Sequence, residues 1–219
     1  MVSGRSVSLS QAVREERERR KRDAFQRRER DILMVAEQLM SEHGVRQVSV
    51  DAIAARTGIG KGTIYKHFDS KHDVLVALAV RHFEHLTVVL NQAPDPKQQL
   101  TDWVEAQLAE PRRSRLVHEL LEVLESTPEA IALIRESRRR MRRRMAQIFG
   151  VSAAVKGAQA TERAIWLEHI VQGALIEMRS SLRREDFDSD VLIESVVRVI
   201  PLIVSEAKKP TADDRMTYL

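Results

Sequence analysis

Five side chains with donor chemistry crowd between positions 61 and 67: Lys61, Thr63, Tyr65, Lys66 and His67. All five can give hydrogen bonds to phosphate oxygens or base edges, the mixture that reading a DNA groove requires. They fall in SVDAIAARTGIGKGTIYKHF, residues 49–68, whose apolar members Ile53, Ala54, Ile59, Ile64 and Phe68 are expected to turn inward. The glycines of GIGKGT also suggest a phosphate-binding loop. That pattern needs Gly where Ala55 stands, Ser or Thr where Gly62 stands, and a preceding strand, so it is not met.

Short elements must position these groups. Ser49 is a helix-capping residue ahead of a run to Thr57 with Val50, Ile53 and Ala54 on its inner face. Gly58-Ile59-Gly60 predicts a tight turn in which the two glycines tolerate positive φ. A second helix is predicted over about 61–67. Capped helix, glycine turn and short helix make a helix-turn-helix, whose second helix is expected to lie in the major groove. Ser70 is placed to cap a longer helix reaching the Leu86–Leu90 region. Upstream, Ile32, Val35, Ala36, Leu39 and Met40 recur at helical spacing until Gly44 stops the run.

These residues closely resemble the signature of the TetR family of transcriptional regulators. The matching pieces are Ser49-Val50 with Ile53-Ala54, Gly58-Ile59, Lys61-Gly62-Thr63-Ile64-Tyr65-Lys66-His67-Phe68 and Ser70-Lys71, preceded by Ile32-Leu33, Ala36, Leu39 and Gly44. The resemblance covers about residues 27–80. It implies that Lys61, Gly62 and Thr63 begin the recognition helix facing the groove, with glycine allowing close backbone approach. It further implies that Tyr65 and His67 contact phosphates, that Ser49 and Lys71 anchor phosphates at helix starts, and that Phe68 is core. Gly60 departs from the family, which often has a hydroxyl residue there, so that contact is not carried over.

Charge is distributed to match. The chain of 219 residues has a formal net charge of +4. Residues 1–85 carry 16 basic and 12 acidic side chains, and the remainder 20 of each, so the whole excess lies in front. Residues 1–30 alone hold ten basic and five acidic groups, with Arg27, Arg28 and Arg30 nearest the helix-turn-helix. Such arms track phosphates or enter the minor groove, and Arg27 and Arg28 are read as DNA contacts. Opposite charges four apart, including Glu16–Arg20, support a helix beginning well before the apolar face, against the alternative of a frayed, solvated tail.

Beyond Pro94-Asp95-Pro96 the chain reads as five helices, roughly 97–109, 113–125, 129–149, 160–183 and 189–207. The stretch Val191–Val204 is strand-like in composition, but a lone strand among helices has no partner. The expected fold class is all-α: an N-terminal helix-turn-helix DNA-binding domain plus a C-terminal helical ligand-binding and dimerisation domain. The divisions are a basic arm (1–26), the helix-turn-helix domain (27–92), the effector-binding and dimerisation body (97–207) and a tail (208–219).

Helix 160–183 is apolar on two sides and must bury both. A second copy is the natural cover for one of them, through Trp166, Ile170, Gly173, Ala174 and Met178, joined by Val196 and Ile200 of the last helix. The resemblance implies the same pairing, as a four-helix bundle. Trp103, His118, Met141, Phe149, Trp166 and His169 are large or polar groups able to line an effector cavity, although most are better explained as core. Arg138–Arg140 and Arg142–Arg144 surround a stripe of Ile134, Met141, Met145 and Ile148, and are read as a solvated face, with an acidic ligand or salt bridges to a partner subunit as alternatives.

Other chemistries find little purchase. There is no cysteine for a disulfide, thiol nucleophile or thiolate metal site, no Gly-x-Ser-x-Gly and no His-Glu-x-x-His. His82 and His85 stand three apart without a carboxylate-rich partner segment, and Glu185, Asp186, Asp188 and Asp190 suit a solvated helix cap. No catalytic residue, metal or cofactor is expected. No signal peptide or membrane helix is legible, so a soluble cytoplasmic protein is expected. The partners expected are a double-stranded DNA operator, a second copy of the chain and a small-molecule effector, with no membrane. The alternatives are a regulator of the same fold without an inducer, acting as an activator or under protein control, and a helical adaptor whose arm binds acidic surfaces.

Overall fold

The computed structural model describes residues 9–108, 111–124, 127–152 and 158–181, together with 191, 194–198 and 200. The described residues are helical, with no strand among them. The helices are α1 (Leu9–His43), α2 (Val50–Thr57), α3 (Lys61–Ile64), α4 (Lys71–Val89), α5 (Pro96–Leu108), α6 (Pro111–Leu124), α7 (Pro128–Ser152) and α8 (Ala158–Ser181). The chain divides into two compact units, Met1–Val74 and Leu75–Leu219, and the division falls inside α4.

In the first unit α1 is one helix of 35 residues, roughly 50 Å long. Only its last third has a buried face, made of Ile32, Leu33, Ala36, Leu39 and Met40. The rest is exposed and carries ion pairs along its surface: Glu16 with Arg19 and Arg20, each at 2.7 Å, and Glu18 with Lys21 at 2.8 Å. The basic arm from residue 9 onward is therefore helical and continuous with α1. Gly44 ends it with φ of 89°, its N–H donating to the Met40 carbonyl at 2.8 Å.

The turn between α2 and α3 follows from its residues. Ser49 Oγ accepts the Ala52 N–H at 3.1 Å and caps α2. Gly58, with φ of 68°, ends α2, and the Ile59 N–H reaches back to the Ala54 carbonyl at 3.2 Å. Gly60, in contrast, has φ of −68° and extended backbone, so only one of the two glycines needs the left-handed region. The second helix is also shorter than its sequence suggests. Regular α-helix ends at Ile64, and residues 65–67 form a tighter turn in which the His67 N–H donates to the Ile64 carbonyl at 2.9 Å. Ile53, Ile64 and Phe68 are buried with the inner face of α1.

Ser70 caps α4 as expected. Its Oγ accepts the Asp73 N–H at 3.3 Å and donates to the Asp73 carboxylate at 2.9 Å. In the second unit α7 packs on α8, and α5 packs on α6, α7 and α8. Trp103, Phe149, Leu100, Leu108, Leu120 and Leu124 are fully buried there. Pro96, Pro111 and Pro128 each occupy the first position of a helix, where no intrahelical N–H is lost. Of the ambiguous Val191–Val204 stretch, the described residues are helical; Pro201 lies outside them.

Candidate nucleic-acid interface

The polar groups of the helix-turn-helix reach different environments. Tyr65, Lys66, Lys61 and Gly62 are exposed, while Thr63 and His67 are half-buried. Lys61 Nζ lies 2.8 Å from Asp51 Oδ1 on the first turn of α2, and this hydrogen-bonded carboxylate pushes the lysine pKa up. The cation thus stays charged and holds a partner that an acceptor on DNA can replace. Around Gly62 a Cβ would meet no atom within 4 Å, so no packing inside the protein demands glycine there. Open space on the outer side of α3 is what close approach to a duplex backbone requires.

Three anchors expected at phosphates already have structural work. Ser49 spends an acceptor on the cap of α2. Lys71 Nζ donates to the Arg46 carbonyl at 3.2 Å, fixing the loop between α1 and α2, and burial lowers its pKa. The ring of His67 stacks on Phe25 of α1, with centroids 3.9 Å apart. Burial lowers the His67 pKa, opposed by Glu29 and aided by Arg28. Arg27 and Arg28 are exposed on α1. Asp51, Phe25 and Arg46 are the members of this site that the sequence did not disclose. A lone aromatic within a charged stretch was the only visible sign of Phe25.

The helix-turn-helix and its flanks, residues 32–78, match the model of the bacterial regulatory proteins of the tetR family. Residues 32–78 are thus similar to the DNA-binding segment of tetR-family regulators. An HTH-type transcriptional regulator of Staphylococcus aureus is 35% identical over 75 residues, covering 34% of this chain and 40% of that protein. The HTH-type transcriptional activator FasR of Mycolicibacterium smegmatis is 33% identical over 79 residues, covering 34% and 36%. The aligned stretch thus spans less than half of these curated relatives. Solved structures share the fold over more of the chain. A transcriptional regulator of Saccharomonospora viridis in complex with choline has a TM-score of 0.64 at 23% identity, covering 80% of this chain and 96% of its own. FadR of Bacillus subtilis in complex with stearoyl-CoA has a TM-score of 0.60 at 19% identity, covering 78% and 96%.

In the C-terminal body, the residues expected around a ligand do not converge. Trp103 and Met141 are buried, and the Trp103 indole Nε1 has no hydrogen-bond partner among the described residues. His118 is half-buried and lies 2.8 Å from Glu122 on its own helix. Trp166 is 62% exposed and His169 is also exposed, so neither lines the interior. Helical geometry explains the split: Ala164, Leu167, Glu168, Val171 and Ala174 face inward from α8, leaving Trp166, His169, Ile170 and Gly173 on the opposite side. Of the expected dimer residues, Ala174, Val196 and Ile200 are buried within the chain itself. They serve the inner face and leave Trp166, Ile170 and Gly173 for an outer one; the Met178 side chain lies outside the described residues.

The arginine run is not simply a solvated face. Glu168 of α8 is only 2% exposed, and its two oxygens are held by Arg138 Nε and Arg142 Nε of α7, each at 2.5 Å. Arg139 and Arg143 pair with Glu136 along α7. Arg140 reaches Glu84 at 3.5 Å, and Arg144 Nε donates to Asn91 Oδ1 at 2.6 Å. The cluster Glu185 to Asp190 lies outside the described residues.

His82 of α4 has a buried Nδ1 without a hydrogen-bond partner among the described residues, and burial, with Arg113 and His85 nearby, lowers its pKa to about 3. The unfolded chain therefore takes up a proton near the ordinary imidazole value while the folded chain refuses it until far lower. Its contribution to stability is complete above about pH 6.5 and is lost as pH falls toward 3. Each pH unit in that window is expected to cost about 1 kcal/mol. Urea unfolding at pH 7.5 and 5 should show it, and His82→Leu should have the shallower dependence.

Proposed function

We propose that this protein is a sequence-specific DNA-binding transcriptional regulator, working as a homodimeric repressor that a small-molecule effector releases from a near-palindromic operator. The observation that carries the DNA reading is the exposed row of Lys61, Gly62, Tyr65 and Lys66 on and just after α3, inside the residues matched to the tetR family. Lys61 and Thr63 meet base edges, Tyr65, Lys66 and His67 meet phosphates, and Arg27 and Arg28 extend the contact along α1. Ser49 and Lys71 add to the flank of the site through donors left free by their structural bonds.

Dimerisation supports the reading through the outer face of α8. Trp166, Ile170 and Gly173 form a stripe at helical spacing, and Ile176 beside it is 53% exposed. An exposed tryptophan next to an isoleucine and a glycine suits a self-complementary contact, with two recognition helices related by a two-fold axis. Trp166→Glu is expected to shift the chain to monomer in sedimentation velocity without unfolding it; an unchanged dimer would place the contact elsewhere.

The effector is assigned to the body formed by α4 to α8, where the Trp103 indole, without a partner among the described residues, asks for an acceptor. Neighbours of this fold hold choline and stearoyl-CoA in their own structures. Helix α4, which runs on from the first unit into the second, is the element through which an effector would change the separation of the paired recognition helices.

The DNA contact is tested with a labelled duplex over a range of salt. Affinity should fall steeply as salt rises, because phosphate contacts release counterions. Removing residues 1–26 should lower affinity and flatten the salt slope without changing the preferred sequence. A changed preference would show that the arm reads bases; a salt-independent affinity would contradict the phosphate assignments.

A further inference from the structure

We propose that Phe25 is a positioning residue of the DNA interface, holding the His67 imidazole in the orientation from which it donates to a backbone phosphate. This rests on the reading of α3 as the DNA-docking element and deepens it. Phe25 lies ahead of the stretch matched to the family, in the part of α1 whose side chains are largely exposed. Nothing in the core of the first unit requires an aromatic there. Yet the Phe25 and His67 rings stand 3.9 Å apart with planes 29° from parallel, a stacked pair. Phe68, the other ring near His67, is 6.5 Å away and tilted.

The stack has a consequence for the proton. His67 Nδ1 is buried and has no hydrogen-bond partner among the described residues. A proton on Nδ1 would bury an N–H without an acceptor, so the neutral ring carries its proton on Nε2, the nitrogen left for a partner outside the protein. A neutral Nε2–H is a sufficient donor to a phosphate oxygen. The charged groups around the ring, Glu29 and Arg28 of α1, act on it in opposite senses, and burial favours its neutral form. Phe25 supplies that cover and the orientation together, and it couples the basic arm carrying Arg27 and Arg28 to the end of the recognition turn.

The test uses the full chain with Phe25→Ala and Phe25→Trp, read by affinity for a labelled duplex of arbitrary sequence and by NMR titration of the His67 imidazole in the free protein. Phe25→Ala should weaken binding about 3- to 10-fold, the value of one aromatic pair. It should also move the His67 midpoint up toward the ordinary imidazole range. Phe25→Trp, which keeps a stacking ring, should preserve both. In a His67→Ala background the Phe25→Ala loss should largely vanish. An equal loss in both backgrounds, or an unchanged affinity despite a shifted titration, overturns the proposal. If the wild-type chain binds no duplex at all, the DNA reading itself fails and the proposal with it. The imidazole titration then still reports whether the stack exists, which separates the two failures.

Discussion

Gly62→Glu should leave the protein folded and remove most of its affinity for duplex DNA. A Cβ at Gly62 meets nothing within 4 Å, so the new side chain projects into open space and displaces no neighbour. At the start of α3, Gly is a poor helix former and an acidic residue suits the positive end of the helix, so stability should hold or rise slightly. On DNA the same side chain sets a carboxylate where the backbone is proposed to approach a phosphate. Like-charge juxtaposition at an interface costs several kcal/mol, which corresponds to a loss of about 100-fold or more. Gly62→Ala separates space from charge and should cost less. Thermal unfolding and duplex titration of the same samples decide it: unchanged melting with lost binding is the expected pair, and retained binding by Gly62→Glu would remove α3 from the groove.

The second large effect lies in the body. Replacing both Arg138 and Arg142 with Met is expected to destabilise the chain by about 3–5 kcal/mol, because it leaves a buried carboxylate without its cations. Glu168 is 2% exposed, whereas the two arginines are about one-third exposed, so the penalty falls on the glutamate and not on the cations. The triple variant that adds Glu168→Leu should recover most of the loss, since an apolar side chain suits the place between Leu167 and Val171. Urea midpoints measure both steps. Equal midpoints for wild type and the double Met variant would mean that Glu168 finds another partner or water and that the fork contributes little.

The sequence displayed what local chemistry determines. Ser49 and Ser70 as caps, Gly44 and Gly58 as helix ends, and the buried Ile53, Ile64 and Phe68 were all legible because each depends on neighbours within one turn. Which of the two turn glycines uses the left-handed region was not legible, because two glycines in a turn look alike until the backbone bonds are known. What depends on distant partners stayed hidden. A helical wheel of α7 placed six arginines on one broad face, but only the fold reveals that Glu168 of α8 lies opposite two of them. The same holds for Phe25 against His67 and for Lys61 against Asp51, each joining different helices. The inward placement of Val196 and Ile200 could not be told from an interface, since both are apolar surfaces seeking cover.

The central claim is that two copies of this chain read a duplex through paired α3 elements. Selection of bound duplexes from a random-sequence pool by the wild-type chain tests it most directly. Enrichment of a near-palindromic sequence with two half-sites, absent when the same pool is offered to Gly62→Glu, is the predicted result. A pool that stays random, or the same motif returned by Gly62→Glu, would contradict it.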